Sequence, residues 1–84
     1  MTKQLLHFTA DWCNPCKKIK PIIEEYVLEN SDVEYVVVDV DNNFQMAKEH
    51  NVLSVPTIIV MIDGLVFKRH NGILTKDILI DLFK

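Results

Sequence analysis

The sequence predicts an α/β fold in the order βαβαββα, a mixed sheet of four strands with the first strand central and helices on both faces. Three observations carry this expectation. Two apolar runs, Gln4 to Thr9 and Glu34 to Val40, have the length and the aliphatic or β-branched content of strands. Between them lies an apolar stripe at helical spacing. Beyond them, two further apolar runs meet at Asp63-Gly64, where glycine supplies the positive φ of a tight hairpin.

The first run, QLLHFT, reads as a buried strand, and the second, EYVVVDV, as another, both with a central place in the sheet. Ile19, Ile22, Ile23, Tyr26 and Val27 fall at i, i+3, i+4, i+7 and i+8, which lays one apolar face along a helix from about Cys13 to Glu29. Pro21 interrupts that helix, because it lacks an N–H and sets the first turn at an angle to the rest. The stretch Asp41 to Gln45 has the look of a capping box opening a short helix that ends near His50. Ser54 to Met61 and Leu65 to Arg69 form the antiparallel pair. Thr75 then caps a last helix whose Ile78, Leu79, Leu82 and Phe83 face inward.

A chain of 84 residues, 49% apolar and 25% charged, describes one soluble domain over residues 1–84, burying somewhat more than about 60% of its unfolded surface. The formal charge of -3 offers no basic face for phosphates, and Lys17, Lys18 and Lys20 read as the solvated side of a helix, so no nucleic acid is expected as a partner. Leu5 and Leu6 are interrupted by His7, too short a run for the core of a signal peptide, and no stretch suits a membrane span. A cytoplasmic protein is expected. With no exposed apolar stripe evident, a monomer is expected as well.

The only cysteines, Cys13 and Cys16, stand in Trp12-Cys13-Asn14-Pro15-Cys16, after the first strand and at the start of the first helix. At the carboxyl end of a central strand, a loop reaches solvent while the sheet holds it rigid. A thiol at a helix start is favoured as thiolate by unpaired N–H groups and the positive end of the helix dipole, which makes Cys13 the candidate nucleophile. Cys16, one turn on and on the same face, is placed to resolve a mixed disulfide formed through Cys13. Pro15 suits a first helical turn and stiffens the spacing of the sulfurs. The same spacing also serves structural disulfides and zinc sites. A cytosolic domain this aliphatic needs no staple, and His7, His50 and His70 offer no ligand pair, so no metal is expected.

With WCNPC after a strand, Val55-Pro56-Thr57 opening the third strand, and Gly64 and Gly72 punctuating the final hairpin and the turn after it, the chain resembles thioredoxins over nearly its whole length. Phe8-Thr9-Ala10-Asp11-Trp12-Cys13 is similar to that family's passage from strand to active site, and Pro21, Asp39, Asp41, Pro56 and Thr57 match its pattern at compatible spacings. The resemblance implies a minimal thioredoxin fold and a protein-disulfide reductase with Cys13 nucleophilic and Cys16 resolving. It implies no cofactor beyond the redox-active Cys13–Cys16 disulfide, disulfide-containing proteins as substrates, and a thioredoxin-reductase-type electron donor. It further implies a cis peptide at Pro56 against the sulfurs, a Val55 backbone that pairs with an extended substrate segment, and a shallow apolar surface of Trp12, Pro56, Gly72 and Ile73. On its own, Pro56 reads equally as a trans proline at the start of an edge strand.

The chain departs from the family's pattern in lacking a leading strand and helix, in Asn14 where glycine is usual, in His7 where an acid is usually buried, and in Val37 where a lysine often partners that acid. His7, in an apolar strand beneath Cys16, is a candidate general base for Cys16 and otherwise a core histidine with one satisfied hydrogen bond. Asp39 and Asp41 read as a turn and helix cap, and Tyr26, Tyr35, Phe44, Phe67 and Phe83 as packing. Two other functions fit less of the pattern: a glutaredoxin-like reductase using glutathione, and a protein-binding module on the same scaffold, insensitive to redox state.

Overall fold

The computed structural model describes residues 1–84, with β1 (Lys3–Thr9), α1 (Asn14–Glu29), β2 (Val33–Asp39), α2 (Phe44–Glu49), β3 (Thr57–Ile62), β4 (Leu65–Asn71) and α3 (Lys76–Leu82) in the expected order. The four strands form one sheet, β2-β1-β3-β4. β1 runs parallel to β2 and antiparallel to β3, and β3 pairs antiparallel with β4. A parallel pair needs a long crossover, which α1 supplies, whereas an antiparallel pair can close in two residues. Asp63 and Gly64 do so with φ of 52° and 82°, the positive pair that a type I′ hairpin turn requires.

Side chains alternate across a strand, so the central β1 feeds two apolar layers. Leu5, with Ile58 and Val60 of β3, packs against Ile19 and Ile23 of α1 and Leu79 of α3. Leu6 and Phe8, with Ile59 and Val38, face Ala47 of α2 on the other side. Helices therefore cover both faces, as expected, and β1 is held from above and below just where it delivers the chain to the cysteines.

Four expectations need correction. β2 is an edge strand, not a central one: Val33 and Val38 are buried while Glu34 and Val37 are exposed. A β-branched run reports fit to a pleated surface, which edge and centre share. β3 begins at Thr57 rather than Ser54, since Pro56 has no N–H to give a ladder. The capping box is not formed. Asn43 is the N-cap of α2 without accepting from the helix, and its side chain donates to the Asp39 carbonyl instead. Phe44 and Phe67 lie on the surface, Phe44 at 71% exposure. Phe67 is the extra residue of a bulge opposite Val60 and Met61, which removes it from the alternation that would have turned it inward. It joins Leu65 and Val66 as exposed apolar side chains of β4. Thr75 does cap α3, accepting from the Ile78 N–H at 3.2 Å.

Candidate active site

Between β1 and α1 the Cys13 N–H donates to the Ala10 carbonyl at 3.0 Å, which turns the chain from strand into helix. Cys13 is the N-cap of α1, in extended geometry (φ -91°, ψ 100°), and Pro15 sits in the first turn where its missing N–H costs no helical bond. Its Sγ accepts a hydrogen bond from the Cys16 backbone N–H at 3.2 Å. The sulfur thus holds the place usually taken by a capping oxygen, over unpaired N–H groups that favour negative charge. Cys13 and Cys16 are joined in a disulfide with Cα atoms 5.3 Å apart. Cys13 is 4% exposed and Cys16 1%, and both pack among Ala10, Val40 and Val55.

The loop before β3 comes up beside them. The Val55-Pro56 peptide is cis, Pro56 is buried, and its carbonyl accepts the Gly72 N–H at 2.9 Å. Gly72 has φ of 92°, a left-handed conformation that a side chain would strain. That bond places the turn Gly72-Ile73 against Pro56, with the Ile73 side chain exposed. Trp12, next to Cys13 in the chain, is 67% exposed, and its Nε1–H donates to the Asp41 carboxylate at 3.0 Å. Val55 therefore packs against the cysteines, Trp12 adjoins Cys13 in the chain, and Gly72 and Ile73 are tied to the site through Pro56.

Asp41 was not legible as a site residue. Asp39 makes the turn, accepting from the Asp41 N–H and the Asn42 side chain, which frees Asp41 to hold the tryptophan. The signal lay in topology: β1 and β2 are parallel with Thr9 opposite Asp39, so the residues after each emerge at the same end of the sheet. A groove of about 460 Å³ between Trp12, Phe44, Leu53 and Val55 was equally unannounced.

His7 is buried on the α1 face of β1. Its Nδ1 lies 3.0 Å from the Tyr35 hydroxyl, while its Nε2 is buried without a protein partner. His7 and Cys16 line one cleft of about 310 Å³, together with Lys17, Lys20, Asp11 and Asp39. Burial, and secondarily Lys20, lowers the His7 pKa from 6.5 to about 4, so the ring is neutral at pH 7. The unfolded chain then takes up this proton before the folded one does. Stability from this residue is complete above the unfolded value near 6.5 and is lost as pH falls toward about 4, a change on the order of 3 kcal/mol. Urea unfolding at pH 7 and pH 4.5 should show it, with a smaller difference in His7→Gln; an equal difference in both proteins would contradict the assignment. His50 and His70 do not line this cleft; they donate to the carbonyls of Met46 and Ile73 respectively.

A family model described as Thioredoxin matches residues 1–84. A thioredoxin of Mycoplasma genitalium is 39% identical over 79 residues, covering 94% of this chain and 78% of that protein. One from Bacillus subtilis is 40% identical over 79 residues, covering 93% of this chain and 76% of its own length. Among solved structures, a mutant thioredoxin from Halobacterium salinarum superposes with a TM-score of 0.89 at 34% identity, covering 96% of this chain and 71% of that one. The thioredoxin of Fasciola hepatica gives 0.87 at 33% identity, over 94% of this chain and 75% of its own.

Proposed function

This chain belongs to the thioredoxin family and is a thiol-disulfide oxidoreductase of protein disulfides, and from that premise we propose how its residues divide the work. Cys13 is the nucleophile. The observation that carries this assignment is its Sγ at the N-cap position, accepting the Cys16 N–H. As thiolate it attacks a substrate disulfide, forming a Cys13–substrate bond and releasing the other substrate sulfur with the electron pair. Cys16 Sγ, its proton removed, attacks Cys13 Sγ, which forms the internal disulfide and expels the second substrate thiolate. The substrate gains two electrons from the dithiol, and an electron donor supplies two more to reduce the Cys13–Cys16 disulfide again. No further cofactor takes part.

Trp12, Pro56, Gly72 and Ile73 form the contact surface, Pro15 stiffens the turn between the sulfurs, and the Val55 backbone pairs with an extended substrate segment. The support is the Gly72 N–H bonded to the Pro56 carbonyl, Val55 packed against the cysteines, and the exposed apolar side chains of Trp12 and Ile73. His7 receives the proton of Cys16, with which it shares a cleft. We take residues 1–84 as a single thioredoxin-like domain that works as a monomer in the cytoplasm, recharged by a thioredoxin-reductase-type electron donor rather than glutathione. The Trp-Cys-Asn-Pro-Cys motif supports that donor, and no helix is long and apolar enough to cross a membrane. The net charge of -3 supports the expectation that nucleic acid is no partner.

Insulin reduction with dithiothreitol tests the assignment. The native protein should accelerate insulin precipitation, and the doubly substituted Cys13→Ser, Cys16→Ser protein should not exceed dithiothreitol alone; equal rates would overturn the dithiol role. Faster recharging by glutathione than by NADPH with a thioredoxin reductase would overturn the choice of donor.

A further inference from the structure

The use of His7 as proton acceptor meets a difficulty, because a ring that ionises only at about pH 4 cannot hold a thiol's proton as imidazolium for any useful fraction of the time at neutral pH. Its surroundings offer a route that creates no charge. Nδ1 is engaged with the Tyr35 hydroxyl at 3.0 Å, and Nε2, on the other side of the ring, is buried and unpartnered in a residue that lines the cleft shared with Cys16. At about 310 Å³ that cleft far exceeds the ~10–15 Å³ that one water needs. Tyr35 is half-buried on β2, and burial together with Glu24 pushes its pKa up to about 12. Both rings are thus neutral near pH 7, and each nitrogen or oxygen can donate or accept.

We propose, on the reading of Cys16 as resolving thiol, that His7 and Tyr35 form a charge-neutral proton relay. As Cys16 attacks Cys13 Sγ, its S–H proton passes through water to Nε2, the Nδ1 proton passes to the Tyr35 Oη, and the Oη proton leaves to solvent. The leaving substrate thiolate takes up a proton from solvent, so the sum is proton-neutral. His7 ends as the other tautomer, with the proton on Nε2 and Oη–H donating to Nδ1. When the donor's dithiol reduces the Cys13–Cys16 disulfide, the Cys16 thiolate must regain a proton, and the same chain runs backward. Each half of the cycle resets the relay for the other, without ring rotation. The groups that face it are Lys17 and Lys20 of α1, Asp11 before it and Asp39 of β2, with Glu24 acting on Tyr35, while β3 presents apolar Ile58 opposite His7.

Nitrogen NMR of the unsubstituted protein tests this directly. His7 should be neutral at pH 7 in both redox states, as the Nδ1–H tautomer when reduced and the Nε2–H tautomer when oxidised. One tautomer in both states, or an imidazolium in either, would overturn the relay. Tyr35→Phe keeps the ring and removes the hydroxyl. It should slow resolution of a preformed Cys13 mixed disulfide by about 10- to 100-fold and replace a curved dependence of that rate on deuterium content by a linear one. A wild-type rate with an unchanged curve would overturn the part given to Tyr35. Failure of the dithiol reading would look different, as loss of disulfide exchange in the native protein itself.

Discussion

Replacing Cys16 by serine should convert the protein from a catalyst into a trap. In Cys16→Ser the N-cap sulfur remains and still attacks, but nothing one turn away can displace the substrate from it. A chromogenic aryl disulfide should then release one thiolate per chain and leave its other half covalently bound, visible as an added mass that dithiothreitol removes. The native dithiol should release two and retain none. Cys13→Ser should form no such adduct on the same timescale, with a loss of at least roughly 10³-fold in rate, since a hydroxyl at this place has no base beside it and the only remaining thiol is the more buried of the pair, at 1% exposure. The asymmetry follows from the helix. Its N–H dipoles converge on the sulfur at the N-cap, and Cys16 itself supplies one of them as a donor. A stable adduct on Cys16 in Cys13→Ser, formed at the native rate, would exchange the two roles.

Much of this site was legible before any coordinates, because local chemistry fixes it. The spacing of Cys13 and Cys16, proline within the first turn, glycine at Gly64 and Gly72 and threonine at Thr75 are each demanded by the backbone at one place in the chain. What remained hidden depends on which element lies beside which. β2 looked central because YVVVDV states only that its residues pack well in a sheet; that no strand covers its outer side is a property of the order β2-β1-β3-β4. Tyr35 read as packing, yet its hydroxyl is 3.0 Å from a ring 28 positions away in sequence. Asp41 likewise holds Trp12 across a separation of 29. His7 shows the division within one residue: its burial could be read from the strand, whereas its free Nε2 and the cleft beside it could not.

The other large effect belongs to the strand that carries the cysteines. Leu5→Ala and Leu65→Ala delete the same atoms from two strands of one sheet, and the first should cost about 2–5 kcal/mol while the second stays within about 0.5 kcal/mol. Leu5 is 0% exposed and packs with Ile19, Ile23, Ile58 and Leu79, whereas Leu65 is 74% exposed at the end of the hairpin. A cavity opened at Leu5 lies between β1, β3 and two helices, none of which can close on it without drawing away from the others. Against a total near 5–15 kcal/mol for a domain, a loss of that size is a large share of what holds it folded. Urea unfolding should show the midpoint falling at constant slope for Leu5→Ala, with Leu65→Ala superimposable on the native curve. Because Leu5 and His7 lie on the same face of β1, slackening at Leu5 should also reach the cleft under Cys16. Below its unfolding midpoint, Leu5→Ala should therefore resolve mixed disulfides more slowly than Leu65→Ala, and equal rates would mean that the cleft keeps its shape without the packing beneath it.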